Sequence, residues 1–129
     1  MNKEEIQELL QQEFPEKKLI VESCENRRAR LRFENESVSG LSVMLLADTA
    51  VYSAILTTME AVVSVVRTNL NINFLSKPDP NQDLVGESWL MKVDKSLIVG
   101  EVIIYSENEP EPVAHATCTY SLPTKSLPL

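Results

Sequence analysis

The longest apolar stretch of the chain, Val38–Met59, holds one charged side chain, that of Asp48. A helix that is apolar nearly all round is typical of a buried position. The pattern therefore predicts a long buried helix that begins near Gly40, which Ser37 or Ser39 can cap. A carboxylate in such a helix is costly unless it is paired or used. Asp48 is accordingly the first candidate functional residue.

Shorter periodic segments flank this helix. An apolar stripe at helical spacing precedes Pro15 and predicts a short N-terminal helix. Alternating or β-branched runs predict six strands, and the short link at Asp94-Lys95 predicts a hairpin between two of them. The predicted strands cover residues 19–23, 27–33, 62–75, 84–93, 97–105 and 113–122.

One predicted strand carries a row of basic side chains. Arg28, Arg30 and Arg32 alternate with apolar residues between positions 27 and 33. The row has the charge to bind phosphate, but nearby glutamates can offset it. We therefore favour a solvated strand face.

The order of these elements indicates an α+β fold. Strands in succession, joined by hairpins, form an antiparallel sheet, and a single long helix packs on one of its faces. A helix that is apolar on most sides needs cover on most sides, so we expect the sheet to curve around it. With 129 residues we expect a single domain, 1–129, in which residues 1–15 hold the N-terminal helix and 123–129 form a flexible tail.

Charge and composition exclude several classes of function. A net charge of −7 argues against nucleic acid as a main partner, because phosphate binding needs a concentrated basic surface. Insertion of Asp48 into a membrane would cost ~3 kcal/mol, so we expect no membrane span. One histidine and two distant cysteines give no recognisable metal spacing, and three glycines leave no phosphate-binding loop. We expect no metal and no cofactor.

The two cysteines and the N-terminus bear on location. Cys24 and Cys118 lie far apart in sequence, and the acidic, amphipathic N-terminus does not resemble a signal peptide. We expect both cysteines to be reduced, buried thiols in a cytoplasmic protein.

Three segments resemble a known family. SGLSVMLLADTAVYSA, TNLNINFLSKP and VAHATCTYSLP resemble the central helix, the following strand and the last strand of hotdog-fold acyl-CoA thioesterases related to PaaI. The resemblance runs from about Arg27 onward. It implies a hotdog fold, in which a curved antiparallel sheet wraps around one long central helix. It also implies hydrolysis of an acyl-coenzyme A thioester.

The resemblance assigns roles to residues of the central helix. Gly40 matches the glycine whose backbone N–H polarises the thioester carbonyl, and Asp48 matches the carboxylate that acts as nucleophile or general base. Where the family has His-Gly-Gly, this chain has Ser39, Gly40 and Leu41. Ser39 either replaces the histidine by holding a water or the carbonyl, or only caps the helix. Phe33 stands where many members have Asn or Gln.

The spacing of Gly40 and Asp48 predicts the assembly. Eight residues along one helix span ~12 Å, so one thioester carbonyl cannot touch both groups of the same chain. We therefore predict a homodimer with two sites across its interface, each formed by Gly40 of one subunit and Asp48 of the other. The resemblance implies the same, often with dimers paired into a tetramer.

The remaining candidates concern substrate binding. Lys77 and Lys95 lie in predicted turns and are candidates for the phosphates of coenzyme A, although solvent exposure explains them equally well. Asn69, Asn71 and Asn73 share one strand face and could meet the pantetheine arm, the dimer partner or neighbouring strands. His115 receives no role.

Two other functions remain open on the same fold. The missing histidine and Phe33 favour a non-catalytic protein that binds or senses acyl-CoA. A hotdog dehydratase would need a histidine and an acid that converge on the substrate, and His115 is poorly placed for that.

Overall fold

A computed structural model describes residues 1–34, 40–60 and 64–122. These ranges contain two helices and six strands. In chain order they are α1 (Lys3–Glu13), β1 (Leu19–Glu25), β2 (Arg28–Phe33), α2 (Gly40–Leu56), β3 (Val66–Phe74), β4 (Leu84–Val93), β5 (Leu97–Ser106) and β6 (Pro112–Ser121). The candidate residue Ser39, the capping alternative Ser37 and the predicted tail 123–129 lie outside the described residues.

The six strands form one antiparallel sheet in the order β1-β2-β4-β5-β6-β3. The sheet curves around α2, which packs on one of its faces, and α1 packs beside β1. This arrangement confirms the predicted α+β architecture. The predicted hairpin is confirmed as well, because β4 pairs with β5 across the turn at Asp94 and Lys95.

The strand after the central helix is shorter than its sequence pattern predicts. Ser64 and Val65 precede β3, which begins at Val66 rather than near residue 62. The reason is pairing: Val66 lies opposite Ser121, the last residue of β6. Ser64 and Val65, the described residues just before that point, have no partner strand, and propensity alone does not make a strand.

The core lies between α2 and the concave face of the sheet. Leu46, Ala47, Ala50 and Val51 of α2 are fully buried there. Gly86 of β4 lies beneath the helix, and a β-carbon at this position would stand 3.2 Å from the Leu46 Cγ atom. The glycine therefore permits a close approach of helix and sheet.

Buried hydroxyls within α2 are satisfied by the helix itself. The Thr49 hydroxyl donates to the Leu45 carbonyl at 2.8 Å, and the Ser53 hydroxyl donates to the Thr49 carbonyl at 2.7 Å. Such back-bonding allows hydroxyls inside an apolar helix without unpaired donors. Neither described helix combines the length and apolarity that crossing a membrane requires.

The arginine row of β2 lies on the outer face of the sheet, among carboxylates. Glu22 of β1 accepts from Arg30 at 2.8 Å and from Arg32 at 2.7 Å. Arg32 also pairs with Asp83 and Glu107, at 3.3 and 2.5 Å. For Arg30 and Arg32 the structure therefore agrees with a solvated, charge-compensated strand face rather than a phosphate site.

Candidate active site

One side of α2 is left uncovered by the sheet. Leu41 and Met44 are exposed there, and Tyr52 is half-buried. Asp48 lies on the same stripe, since residues three and four apart share a helix face. Its side chain is 31% exposed, so the helix that the sequence predicts to be covered on most sides is not covered on this one. The carboxylate is accessible from outside the chain.

The Asp48 carboxylate is held by two donors from neighbouring strands. Its Oδ1 atom accepts a hydrogen bond from the Tyr120 hydroxyl of β6 at 2.5 Å. Its Oδ2 atom lies 2.5 Å from the Arg67 Nη1 atom of β3. Hydrogen bonds to an ionised group of this kind are among the stronger ones in proteins. Asp48, Arg67 and Tyr120 form what we call the carboxylate cluster.

A β-bulge places Arg67 in this cluster. Along β3, Arg67 pairs with Tyr120 and Asn69 pairs with Thr119, so Thr68 is an extra residue without an opposite partner. Residues directly opposite each other share a face of the sheet. Arg67 therefore lies on the helix-facing side with Tyr120. Without the bulge, alternation would put Arg67 on the outer face with Asn69.

Arg67, Tyr120 and the nearby Cys118 have pKa values raised above their ordinary values. Burial, followed by the negative charge of Asp48, raises the pKa of Tyr120 far above its ordinary value, so the hydroxyl stays protonated and donates. The hydrogen bond and the charge of Asp48 raise the pKa of Arg67. Cys118 lies close by, and burial together with the charge of Asp48 raises its pKa to about 12. The cluster therefore joins one anion, one cation and one neutral donor.

A cavity of about 600 Å³ opens beside the carboxylate cluster. Asp48, Arg67 and Tyr120 all line it. Its other walls come from both helices and from the start of β3, and they are Glu13, Phe14, Thr49, Tyr52, Ser64, Val65 and Val66. The cavity combines apolar and aromatic surface with a few polar groups, as small-molecule sites do. Among the described residues, no three His, Cys, Asp or Glu side chains converge as metal ligands would.

Gly40 is the first residue of α2 as described, and Asp48 lies eight residues further along the same helix. The rise of an α-helix separates the two positions by ~12 Å. Within one chain, the two residues that the resemblance assigns to catalysis therefore do not meet.

The candidate binding residues lie away from the cavity of their own chain. Asn69, Asn71 and Asn73 are exposed on the outer face, opposite Thr119, Thr117 and His115. The ring of His115 lies 3.2 Å from the Glu101 carboxylate on the same face. Within one chain, the three asparagines therefore lie on the opposite face of the sheet from Asp48.

The two candidate lysines occupy opposite ends of the sheet. Lys95 lies in the β4–β5 turn, close to Leu97. Leu97 lies opposite Ser121, which lies opposite Val66, so Lys95 is at the end of the sheet where β3 begins. Lys77 follows the other end of β3. Because this strand has nine residues, its two ends lie roughly 30 Å apart. Both side chains are exposed. One chain therefore does not bring both lysines to one phosphate group.

Two residues of the carboxylate cluster were not among the sequence candidates. Alternation along β6 puts Tyr120 on the same face as Ala116 and Cys118, and this face is apolar enough to predict burial. The sequence gives no sign that its hydroxyl would reach Asp48. Arg67 was missed because the bulge reverses its face.

The fold and the family can now be stated. An antiparallel six-stranded sheet curved around one long helix is the hotdog fold. A family model described as "Thioesterase superfamily" matches residues 37–113, which is more than half of the chain. The chain belongs to the thioesterase superfamily. A search of curated proteins found no match.

Solved structures agree with this assignment. A protein from Silicibacter sp. TM1040, described as a candidate thioesterase, is 29% identical with a TM-score of 0.87, and the match covers 95% of this chain and 92% of that one. A hypothetical thioesterase from Streptococcus pneumoniae, solved with coenzyme A, is 16% identical with a TM-score of 0.74, covering 83% and 87%. A mutant of the phenylacetic acid degradation protein PaaI from Thermus thermophilus is 16% identical with a TM-score of 0.75, covering 87% and 99%. Family and neighbours together support thioesterase activity in general terms.

Proposed function

We propose that the protein is an acyl-CoA thioesterase whose active site is shared between two subunits. The observation that carries the proposal is the position of Asp48 in a chain of this family. Its carboxylate lies on the uncovered side of α2, partly exposed, at the wall of a cavity large enough for part of a substrate. The Streptococcus pneumoniae neighbour solved with coenzyme A supports this class of substrate.

The proposed chemistry divides between two positions on α2. Hydrolysis of a thioester needs a donor aimed at the developing oxyanion, and a base or nucleophile near the carbonyl carbon. Gly40 supplies a backbone N–H at the start of a helix, where the dipole also favours negative charge. Asp48 supplies the carboxylate, which either attacks the carbonyl or activates a water. Because ~12 Å separates the two positions in one chain, the donor comes from a second subunit.

Features of the surface support a homodimer. Among the described strands, β3 is an edge of the sheet and pairs only with β6. Edge strands are ready sites for pairing with another chain. Val66, Phe74 and Leu75 are exposed along this edge, and Leu41 and Met44 are exposed on the uncovered side of α2. A second copy that pairs along β3 would cover apolar surface that a monomer leaves in water.

A two-fold axis through β3 would also reposition one candidate lysine. In an antiparallel pair of β3 strands, the Phe74 end of one strand lies beside the Val66 end of the other. Lys77 follows Phe74, so a partner's Lys77 would approach the end of the sheet that carries Arg67. This supports Lys77, supplied by the second subunit, as a ligand for coenzyme A phosphates.

Hydrolysis of a panel of acyl-CoA substrates, followed by detection of the released thiol, tests the activity. We expect turnover by the wild-type protein and a loss of about 10²- to 10⁴-fold in kcat for Asp48→Asn. The matched control is Glu25→Gln, which neutralises an exposed carboxylate at the end of β1 and should keep full activity. Unchanged hydrolysis by Asp48→Asn would remove this residue from the mechanism.

Subunit complementation tests the shared site. Proline is tolerated in the first turn of a helix but has no N–H, so Gly40→Pro removes the proposed oxyanion donor. Gly40→Pro and Asp48→Asn should each be inactive alone. Co-expressed, they form heterodimers in which one of the two sites is intact. Random pairing then restores about a quarter of wild-type activity. If both groups act within one chain, no activity returns.

Two observations favour a second function, the binding or sensing of acyl-CoA without turnover. Both oxygens of Asp48 already accept from donors of the same chain. In addition, Phe33 is buried where many family members have an amide side chain. Calorimetric binding of coenzyme A esters without release of thiol from any member of the panel would favour this alternative.

A further inference from the structure

We propose that Arg67 and Tyr120 are positioning residues, which hold the Asp48 carboxylate in the orientation needed for hydrolysis. The inference rests on the proposed function and adds two residues to it. Each of them contacts a different oxygen of the carboxylate. A carboxylate fixed at both oxygens cannot rotate about its terminal bond without breaking one contact.

The arrangement leaves Asp48 able to act. Each oxygen of an ionised carboxylate has about two lone-pair sites, and one donor occupies only one of them. With respect to the described residues, one site on each oxygen therefore remains for a water or for approach to a carbonyl carbon. Small errors in the placement of a reacting group cost large factors in rate, so a rigid carboxylate favours turnover.

The two donors have fixed protonation. Arginine remains charged at all ordinary pH values, and the Asp48 contact raises the pKa of Arg67 further. Burial and the charge of Asp48 raise the pKa of Tyr120, so its hydroxyl does not ionise in the working range. Neither residue is suited to accept a proton from water. Orientation of Asp48, by contrast, needs only a constant hydrogen-bond donor at each oxygen, which both residues supply.

A purely structural role for the ion pair is the competing explanation. The Arg67 side chain is 44% exposed, and ion pairs at such exposure contribute little to stability. A weak surface ion pair does not account for a bulge that turns Arg67 inward. A role in fixing the Asp48 carboxylate at the cavity does account for it.

Steady-state kinetics of Arg67→Gln, Arg67→Lys and Tyr120→Phe test the proposal. We expect Arg67→Gln and Tyr120→Phe to lower kcat by about 10- to 100-fold, with little change in KM. Arg67→Lys keeps the charge but loses the planar fork, and should recover part of the loss. Tyr120→Phe keeps the ring that packs in the core, and Arg67 is a partly exposed residue, so these variants should fold.

A double-mutant cycle with Asp48→Asn gives the second readout. Residues that act through Asp48 have nothing left to orient once its charge is removed. We therefore expect Arg67→Gln and Tyr120→Phe to cause no further loss in the Asp48→Asn background. The matched control is Tyr105→Phe, which removes a hydroxyl that donates to the Glu87 carboxylate at 2.6 Å on the outer face. It should leave kcat unchanged.

The outcomes separate the two proposals. If the wild-type protein hydrolyses no substrate, or if Asp48→Asn is fully active, the proposed function fails and the positioning role fails with it. If Asp48→Asn is inactive but Arg67→Gln and Tyr120→Phe keep full kcat, only the positioning role is overturned. The positioning role is also overturned if Arg67→Gln or Tyr120→Phe lowers kcat by the same factor in the Asp48→Asn background as in the wild type. It is overturned too if these variants change KM alone, because both results indicate direct contact with the substrate.

Discussion

Gly100 of β5 lies so close beneath Val51 of α2 that a β-carbon built on the glycine would stand 2.8 Å from the Val51 Cγ1 atom. The same atom would be 3.2 Å from the Leu90 Cδ2 atom of the neighbouring strand. Only a hydrogen fits between these side chains. The glycine therefore sets how closely the central helix approaches the sheet, and with it the position of Asp48, which lies about one turn before Val51 on the same helix.

Gly100→Ala should destabilise the protein. An added methyl group in a filled core forces neighbouring atoms apart, and we expect a loss of about 1–3 kcal/mol in the free energy of unfolding in urea. Gly86→Ala is the matched comparison, because its nearest contact of 3.2 Å is less severe and its cost should be smaller.

A second substitution, at Val51, tests whether the contact with this residue causes the loss of stability in Gly100→Ala. Val51→Ala removes the obstructing methyl groups, so its combination with Gly100→Ala should cost less than the sum of the two single changes. Additive losses, or an unaltered stability of Gly100→Ala, would contradict the close packing of α2 on β5.

Glu22 should make stability depend on pH in the acid range. Burial raises its pKa, but the hydrogen bonds and charges of Arg32 and Arg30 outweigh burial and lower the pKa below the ordinary value of 4.5. The unfolded chain then binds a proton more readily than the folded one. Glu22 therefore stabilises the protein above about pH 4.5, and this contribution is lost as the pH falls through the folded-state pKa.

Glu22→Gln checks this contribution. We expect it to lower the free energy of unfolding by about 1 kcal/mol at neutral pH, and the difference from wild type to shrink below about pH 4.5. Glu25→Gln, on the same strand but exposed, should show no such difference. A deficit of Glu22→Gln that stays constant down to pH 3 would exclude the proposed linkage.

Cys118 should be inert in the folded protein. Burial and the charge of Asp48 raise its pKa to about 12, and thiolates rather than thiols react with disulfide reagents. Cys24 is only half-buried, so the expectation that both cysteines are buried is wrong for this residue. In a Cys24→Ser variant the remaining thiol should react with a chromogenic disulfide at pH 8 only after denaturation. Rapid reaction of the native variant would show that Cys118 is accessible.

Phe74 should contribute to the subunit interface if the site is shared. Phe74→Lys places a charge on the exposed end of β3, and we expect the dissociation constant of the dimer to rise by at least about tenfold in sedimentation experiments. Hydrolysis at low protein concentration should fall with it. Met91→Lys, on an exposed position of β4, is the control and should leave both unchanged. A wild-type protein that sediments as a stable monomer would rule out the shared site.

The fold could be predicted from the sequence because its signals are strong and local. The apolar stretch around Asp48 indicates one central helix, and alternation indicates which side chains of β3, such as Leu70 and Ile72, face the core. Asp48 itself could be singled out because a lone charge interrupts an apolar run. These signals depend only on the period of helix and strand.

The partners of Asp48 could not be predicted in this way. Alternation puts Arg67 on the outer face, and only the unpaired Thr68 moves it to the helix side. Tyr120 follows the predicted alternation, but the distance from its hydroxyl to Asp48 depends on how strongly the sheet curves. Register and curvature are set by contacts between distant segments, which a local pattern does not record.

The extra residue in β3, Thr68, determines whether the Arg67 guanidinium faces the cavity. Loss of a single codon at Thr68 would turn the guanidinium to the outer surface, while the residues from Asn69 onward kept their opposite neighbours. A one-residue deletion in this strand would therefore remove the cation next to Asp48 without exchanging any amino acid in the core.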